Sequence, residues 1–362
     1  MDDKVKVLVV DDSIIARKYL TRILEESGKI KVIDTAKDGL EAIEKIKKLN
    51  PDVVTLDIEM PKLNGLEALK RIMEECPVPV VMVSSLTKEG AKETLESLRL
   101  GAVDYISKTD VLSFKEAAKE SRELLVEKIL AAKNARIRGR RPRTQTITSR
   151  LSEKKEEEKV SSLAKKGAKP QKKDIKVVAI AASTGGPVAL EKVFSMLPLL
   201  GVPVMIVQHM PKTFTGVFAN SLSKVSKIKV KEAEDGEELK INQGYLAPGG
   251  MQMTTQKSGS RYVVRVSDKP KTIYTPNADV MFTSVAETFG DKALCVIMTG
   301  MGDDGFRGLQ KVKEKGGTII AQDKDSCVVW GMPRKPTQTG LADYVVPLDE
   351  IAPTISKIVL GR

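Results

Sequence analysis

Cysteine and aromatic residues are scarce in this sequence. Its 362 residues include three cysteines, and Phe, Trp and Tyr together make up 4%. The cysteines, Cys76, Cys295 and Cys327, lie far apart and lack the spacing of a metal site, which excludes a disulfide scaffold and predicts a reducing compartment. With so few aromatic residues, Val, Ile, Leu and Ala must pack most of the core.

A targeting segment and a membrane-spanning run are also missing. The sequence begins Met-Asp-Asp-Lys and passes directly into an apolar run, which is not the pattern of a signal peptide. The longest apolar stretch, residues 196–207, is interrupted by Pro198, Gly201 and Pro203 and is too short to cross a bilayer. We therefore expect a cytoplasmic protein with no membrane insertion.

Excess basic charge is nearly absent outside one segment. Residues 133–176 carry 16 Lys and Arg against 5 Asp and Glu, which accounts for almost all of the net charge of +12. Residues 133–173 also contain no aromatic residue, and their mixed charges and small polar residues predict a flexible basic linker. Because the charge belongs to a linker and not to a domain face, no nucleic-acid partner is expected.

Strand-like and helix-like segments alternate on both sides of this linker. In residues 1–132, five apolar strands alternate with five helices, which predicts a doubly wound, flavodoxin-like parallel sheet. Residues 174–362 resume the alternation and predict an α/β, Rossmann-like domain. Within it, residues 228–266 have the pattern of hairpin-like antiparallel strands with Gly turns.

Carboxylates follow two strands of the first domain. Asp11 and Asp12 follow the first strand and Asp57 follows the third, at the sheet edge where ligands of doubly wound folds bind. Such a cluster repels itself unless a hard cation such as Mg²⁺ lies in it, and a carboxylate beside Mg²⁺ can attack a phosphoryl group. Ser84 and Lys108 end strands four and five, where they can contact the new phosphoryl oxygens. Each residue alone fits a solvated loop, but the set predicts an aspartyl-phosphate site.

The first domain resembles the receiver domain of two-component response regulators over its whole length. The matching motifs are VVDDS at residues 9–13, LDIEMP at 56–61 with Gly65, Ser84, and YISK at 105–108. The resemblance implies that a histidine kinase phosphorylates Asp57. It implies a Mg²⁺ site whose ligands are Asp11, Asp12, Asp57 and the backbone carbonyl of Glu59. The phosphoryl-reading and switch residues that it implies are Ser84, Lys108 and Tyr105.

The second domain contains the only histidine of the chain, His209, directly after a predicted strand. Ser183 has an equivalent position, on a Ser-Thr-Gly-Gly turn between a strand and a helix that starts near Pro187. The positive end of that helix favours a developing oxyanion, so the pair predicts nucleophilic catalysis by serine. A carboxylate must orient the imidazole, and the loop after a further strand offers Asp303 and Asp304. Chemistry alone leaves both open.

Two other functions stay open at this point. The turn at residues 183–186 also fits a nucleotide phosphate loop, although neither G-x-G-x-x-G nor a Walker A motif is present. Nucleotide binding without ester hydrolysis would favour that alternative. The second alternative is a response regulator whose basic linker binds DNA. The linker lacks stacking aromatics, however, and no helix-turn-helix follows the first domain.

The second domain resembles the catalytic domain of chemotaxis response-regulator protein-glutamate methylesterases. The matching motifs are ASTGGP at residues 182–187, QHM at 208–210, YLAPG at 245–249, GMGDDG at 300–305, SCVV at 326–329 and GMP at 331–333. The resemblance implies Ser183 as nucleophile and His209 as general base. The family pattern G-M-G-x-D-G assigns the carboxylate to Asp304 and makes Asp303 the variable position. The Met301 backbone N–H is then expected to donate to the oxyanion, with Thr184 in support.

Together the two resemblances cover the chain apart from the linker. They imply hydrolysis of glutamyl methyl esters on chemoreceptors and deamidation of receptor glutamines through an acyl-enzyme. They imply no cofactor in the catalytic domain. They also imply that the receiver obstructs the Ser183 crevice until Asp57 is phosphorylated.

Overall fold

The computed structural model describes residues 4–85, 87–112, 118–137 and 171–361. These residues belong to two compact units, divided near residue 141. Most of the predicted linker lies outside the described residues. At its edges, Lys133 ends a helix and the Lys173 N–H donates to the Ile358 carbonyl at 2.8 Å.

The first unit is built on a parallel sheet of five strands in the order β2-β1-β3-β4-β5. The strands are β1 (Val5–Val10), β2 (Ile30–Ala36), β3 (Val53–Asp57), β4 (Val80–Ser84) and β5 (Asp104–Ser107). The helices are α1 (Ile14–Glu26), α2 (Gly39–Leu49), α3 (Gly65–Glu75), α4 (Lys88–Leu100), α5 (Lys108–Leu112) and α6 (Ala118–Lys133). The predicted doubly wound fold is confirmed.

The first four helices of this unit begin at side chains that cap their free N–H groups. Ser13, Asp38, Asn64 and Thr87 each accept a hydrogen bond from the backbone N–H three residues further on. Strands β3 and β4 are buried along their whole length, because helices cover both faces of the sheet. Each of these helices therefore begins close to the carboxyl edge of the sheet, where the predicted carboxylates lie.

The second unit has a parallel sheet of seven strands in the order β14-β13-β12-β6-β7-β9-β8, and a separate two-stranded antiparallel sheet of β10 and β11. The strands are β6 (Val177–Ala182), β7 (Val204–Gln208), β8 (Lys229–Glu232), β9 (Gln243–Leu246), β10 (Gln252–Ser258), β11 (Arg261–Ser267), β12 (Ala293–Ile297), β13 (Thr318–Gln322) and β14 (Tyr344–Val346). The helices are α7 (Gly186–Met196), α8 (Lys212–Val225), α9 (Ala278–Phe289), α10 (Phe306–Glu314), α11 (Arg334–Gln338) and α12 (Leu348–Leu360). A 3₁₀ turn spans Gly290–Lys292.

The antiparallel excursion is shorter than the sequence pattern indicates. Only β10 and β11 form a hairpin, whereas β8 and β9 pair in parallel and extend the main sheet. The segment between β8 and β9 crosses back, so that both strands run in the same direction. It is hydrogen-bonded to the hairpin, because the Val264 N–H donates to the Glu237 carbonyl at 2.8 Å. The prediction of hairpin strands over 228–266 is therefore wrong for its first half.

Strands β6, β7 and β12 form the centre of this sheet, and every residue in them is buried. Ala and Val dominate β6, so helices pack close to it on both sides. Within the described ranges, every helix is too short or too polar to cross a bilayer.

A pair of glycine substitutions tests the packing of α9 against α10. A Cβ at Gly308 would lie 2.7 Å from Phe282 Cβ, whereas a Cβ at Gly216 in α8 would meet only Glu232 Oε2, at 3.7 Å. We expect Gly308→Ala to lower the free energy of unfolding by about 1–3 kcal/mol through overpacking. Gly216→Ala should raise it by about 0.5–1 kcal/mol through helix propensity.

Denaturant unfolding followed by the fluorescence of Trp330, the only tryptophan, reports on this unit alone. Equal effects of the two substitutions would contradict the close contact between the helices.

Candidate functional site

Ser183 lies between β6 and α7, at the carboxyl edge of the central strand. Its N–H donates to the Thr299 carbonyl at 3.0 Å, and its carbonyl accepts from the Gly186 N–H at 2.7 Å. Pro187 occupies the first turn of α7, where a missing N–H costs no helical hydrogen bond. The strand-to-helix turn therefore presents the Ser183 side chain at the sheet edge with its backbone fixed.

The two glycines of this turn lie against side chains. A Cβ at Gly185 would lie 2.6 Å from Val328 Cβ, and one at Gly186 would lie 2.0 Å from Gln208 Oε1. A phosphate loop needs several N–H groups directed at one open position. Here the N–H groups of Ser183 and Gly186 are used within the fold. The geometry therefore favours a serine hydrolase site over a nucleotide loop.

His209 follows β7, the strand that pairs with β6, and its ring lies between Ser183 and Asp304. Its Nδ1 is 3.2 Å from Ser183 Oγ, and its Nε2 is 2.8 Å from Asp304 Oδ2. Because an ionised carboxylate only accepts hydrogen bonds, Nε2 carries a proton and donates to Asp304. Nδ1 is then left to accept the Ser183 hydroxyl proton. The serine thus faces the opposite ring nitrogen from that in the chymotrypsin-type triad.

Asp304 is buried, and the first turn of α9 binds it. Its Oδ2 accepts from the Ala278 N–H at 2.7 Å and its Oδ1 from the Asp279 N–H at 3.1 Å. Burial opposes ionisation, but the hydrogen bond and charge of His209 and these two N–H groups hold the pKa of Asp304 below its ordinary value. The positive end of the helix thus keeps a buried carboxylate charged beside the imidazole.

Asp303, the other carboxylate that the sequence left open, points elsewhere. Its side chain is 60% exposed and forms an ion pair with Lys335. The structure therefore brings Asp304, and not Asp303, to His209.

The loop that carries Met301 passes directly beside Ser183. A Cβ at Gly300 would lie 2.9 Å from Ser183 Cβ and 2.3 Å from Met332 Sδ, so only glycine allows this approach. Thr184 is buried, and its carbonyl accepts from Thr299 Oγ1 at 3.0 Å. Thr184 therefore adjoins Ser183 along the chain, and Gly300, the residue before Met301, lies against Ser183 from the neighbouring loop.

Sequence reasoning missed two residues that contact the site. The ring of Tyr274 stacks on the His209 imidazole, with centroids 4.7 Å apart and planes at 9°. Gln208 is buried, and its Nε2 donates to the Ser183 carbonyl at 2.9 Å and to the His209 carbonyl at 3.2 Å. The position of Gln208, at the end of a buried strand and next to the histidine, is a sequence signal that could have identified it. Tyr274 lies in an irregular loop, and no sequence pattern points to it.

The first unit gathers the predicted carboxylates at its own sheet edge. Ligand oxygens of Asp11, Asp12 and Asp57 lie within 4.8 Å of one another. Lys108 Nζ is 2.6 Å from Asp57 Oδ2 and 2.8 Å from Asp11 Oδ2. Burial raises the pKa of Asp57 to about 6, with the charge of Asp11 adding to this and Lys108 opposing it. An all-oxygen, self-repelling set of this kind fits a hard divalent cation.

The remaining predicted receiver residues lie on β4, on β5 and in the loop after β3. Ser84 follows Val83, which pairs with Asp57, and its buried hydroxyl accepts from Thr94 Oγ1 at 2.7 Å. Tyr105 is buried on β5, with Lys128 Nζ 5.1 Å from its ring centroid. Glu59 is exposed in the loop after β3, where its carboxylate accepts from Ser85 Oγ at 3.3 Å.

Comparison with known proteins identifies a family for each unit. Residues 178–355 match the CheB methylesterase family and residues 7–116 match the response regulator receiver domain family. The fold and these matches define a response regulator with an enzymatic output domain. Over 98% of its length, the chain is 45% identical to the protein-glutamate methylesterase/protein-glutamine glutaminase of Geobacillus kaustophilus, of which it covers 99%. The chain belongs to the CheB methylesterase family and is a hydrolase.

Other relatives are similarly close. Over 99% of its length, the chain is 43% identical to the protein of the same name from Pyrococcus horikoshii, of which it covers 95%. The crystal structure of the Thermotoga maritima CheB methylesterase catalytic domain is 40% identical, with a TM-score of 0.49, and covers 50% of this chain and 97% of its own.

A matched pair of lysine substitutions tests the electrostatics of the acidic cluster. Lys108→Met leaves two buried carboxylates without their cation, which should destabilise the first unit by on the order of 3 kcal/mol. Lys47→Met removes an exposed pair with Glu75, and we expect a loss below about 1 kcal/mol. Hydrogen exchange of the β3 and β4 amides in metal-free full-length protein measures both. Losses of equal size would mean that Lys108 does not neutralise the cluster.

Proposed function

We propose that this protein hydrolyses glutamyl methyl esters in the cytoplasmic domains of chemoreceptors, and that it deamidates receptor glutamines to glutamates. The observation that carries the proposal is the hydrogen-bonded line from Ser183 Oγ through His209 to Asp304 Oδ2. The printed names of the relatives, protein-glutamate methylesterase/protein-glutamine glutaminase, supply the substrate class.

In the first half of the reaction, His209 is the general base and Ser183 the nucleophile. Nδ1 takes the Ser183 hydroxyl proton while Oγ attacks the ester carbonyl carbon. The imidazolium then returns this proton to the leaving oxygen, so that methanol departs and a glutamyl ester of Ser183 remains. Asp304 stays ionised throughout and stabilises the imidazolium.

In the second half, water replaces Ser183. His209 takes a proton from the water, hydroxide adds to the acyl carbon, and Ser183 leaves with the proton that His209 returns. Glutamate is released and the enzyme is restored. With a glutamine substrate the leaving group of the first half is ammonia, and the second half is unchanged.

The negative oxygen of the tetrahedral intermediate needs donors. The Ser183 N–H is already bonded to Thr299 and does not serve. We assign the role to the Met301 N–H, on the loop that Gly300 brings against Ser183, with Thr184 in support. One such donor is typically worth about 10²- to 10³-fold in kcat.

The first unit is proposed to control this activity. Asp57 accepts a phosphoryl group from a chemotaxis histidine kinase. Asp11, Asp12 and Asp57, with the Glu59 carbonyl, would hold Mg²⁺, which would supply positive charge beside the phosphoryl group. Lys108 and Ser84 then bind phosphoryl oxygens, and Tyr105 responds as the switch residue. The resulting change raises the rate of hydrolysis at Ser183.

We place the receiver domain at residues 1–132, the linker at 133–173 and the catalytic domain at 174–362. The site of action is the cytoplasm, where the receptor substrates and the kinase are exposed to the enzyme. The division of the chain into two compact units supports this organisation.

Adjacent aspartates provide a matched test of the triad. Asp304→Asn should lower kcat for methanol release from methylated receptor by about 10³- to 10⁴-fold, because the amide no longer fixes the imidazole tautomer. Asp303→Asn should change kcat less than about twofold, since its exposed pair with Lys335 is worth little. A larger loss at Asp303 would refute the assignment.

Phosphorylation control is tested with a small acyl phosphate and Mg²⁺ as the phosphodonor system. We expect wild-type turnover to rise on the order of tenfold or more, and Asp57→Asn to show no rise. Asp52→Asn, which alters another buried carboxylate of the same unit, should respond as wild type does. Equal turnover with and without phosphodonor in the wild type would contradict the proposed control.

A further inference from the structure

Tyr274 covers one face of the only histidine. Its ring and the His209 imidazole are nearly parallel, at 9° with a centroid separation of 4.7 Å, which is the offset-stacked arrangement favoured by aromatic pairs. Tyr274 Oη lies 3.8 Å from the position of a Cβ on Gly302, so the ring also reaches the loop that carries Met301. Tyr274 therefore contacts the imidazole and also lies next to the glycine that follows Met301.

The loop that carries Tyr274 is anchored by one buried side chain, Gln252. Gln252 Nε2 donates to the Pro270 carbonyl at 3.0 Å and to Thr272 Oγ1 at 2.8 Å. Thr272 Oγ1 in turn donates to the Tyr274 carbonyl at 2.5 Å. Gln252 Oε1 accepts from the Asn277 N–H at 3.0 Å, so one amide holds both ends of the loop.

The same loop leads directly into the helix turn that binds Asp304. Asn277 caps α9, and the next two N–H groups, of Ala278 and Asp279, donate to the Asp304 carboxylate. One short segment, residues 270–279, thus orients both the imidazole and the carboxylate behind it. A rigid second layer of this kind is what holds reacting groups within catalytic tolerance.

We propose that Tyr274 is a positioning residue for His209, held in place by Gln252, and that its ring stabilises the imidazolium formed during catalysis. The proposal rests on the proposed role of His209 as general base. Stacking restricts rotation of the imidazole away from the line between Ser183 and Asp304. The electron-rich face of the phenol ring also attracts the positive charge that develops on His209 in the transition state.

The test compares Tyr274→Leu with Tyr274→Phe, which keeps the stacked ring and loses only the hydroxyl. Tyr274→Leu should lower kcat for methanol release by between about 2- and 30-fold, with KM nearly unchanged, because the lost interaction is stronger in the transition state. Because it keeps the stacked ring, Tyr274→Phe should retain a higher kcat than Tyr274→Leu. Gln252→Met, which removes the anchor at similar volume, should lower kcat in the same direction as Tyr274→Leu.

A spectroscopic measurement makes the result independent of activity. Since the chain has one histidine, the imidazole C–H signals of His209 are observed without overlap in a histidine-labelled sample. Ring currents from a stacked phenol shift these signals upfield in the wild type and in Tyr274→Phe. The shift should disappear in Tyr274→Leu.

Two results would overturn the proposal. One is a Tyr274→Leu enzyme with unchanged kcat, and the other is an imidazole spectrum that is the same in Tyr274→Leu and wild type. Absence of methanol release by the wild type, with the upfield shift present, would instead refute the proposed function and leave the stacking intact.

Discussion

The contact between Asp304 and His209 is the interaction on which the catalytic arrangement depends. Asp304 is a buried charge, and such a charge persists only if donors surround it. Its donors are the imidazole and the first turn of α9, so the helix end, the carboxylate and the ring fix one another. The orientation of the imidazole then places Nδ1 toward Ser183. The serine is positioned by β6 and the adjacent turn, and its backbone is also hydrogen-bonded to Thr299 and Gln208.

Both units use the same structural solution for different chemistry. In each, short loops at the carboxyl edge of a parallel sheet hold polar side chains that come from neighbouring strands. The first unit gathers acids around Lys108, which suits a cation and a phosphoryl group. The second places a serine, a histidine and an aspartate after β6, β7 and β12, which suits acyl transfer. The glycines at 185, 186 and 300 allow the loops of the second unit to approach neighbouring side chains closely.

Strand ends made much of the site predictable. A buried run followed by a polar residue locates Asp57, Ser183 and His209, because ligand sites form there whatever the order of the strands. Chemistry alone left Asp303 and Asp304 open, and only the family pattern favoured Asp304, because the choice depends on which carboxylate meets the N-terminus of α9. Tyr274 comes from an irregular loop without periodicity. The parallel pairing of β8 and β9 was missed because short strands separated by Gly and Asn resemble a hairpin.

The most direct test of the central claim is to trap the acyl-enzyme. Methylated receptor mixed rapidly with the full-length protein and quenched within a turnover should yield a glutamyl ester on Ser183, detected by mass spectrometry of the peptide that contains residues 183–192. Methanol should appear no later than this adduct, and Ser183→Ala should form neither. Methanol release by Ser183→Ala at the wild-type rate, or an adduct at another residue, would contradict the account.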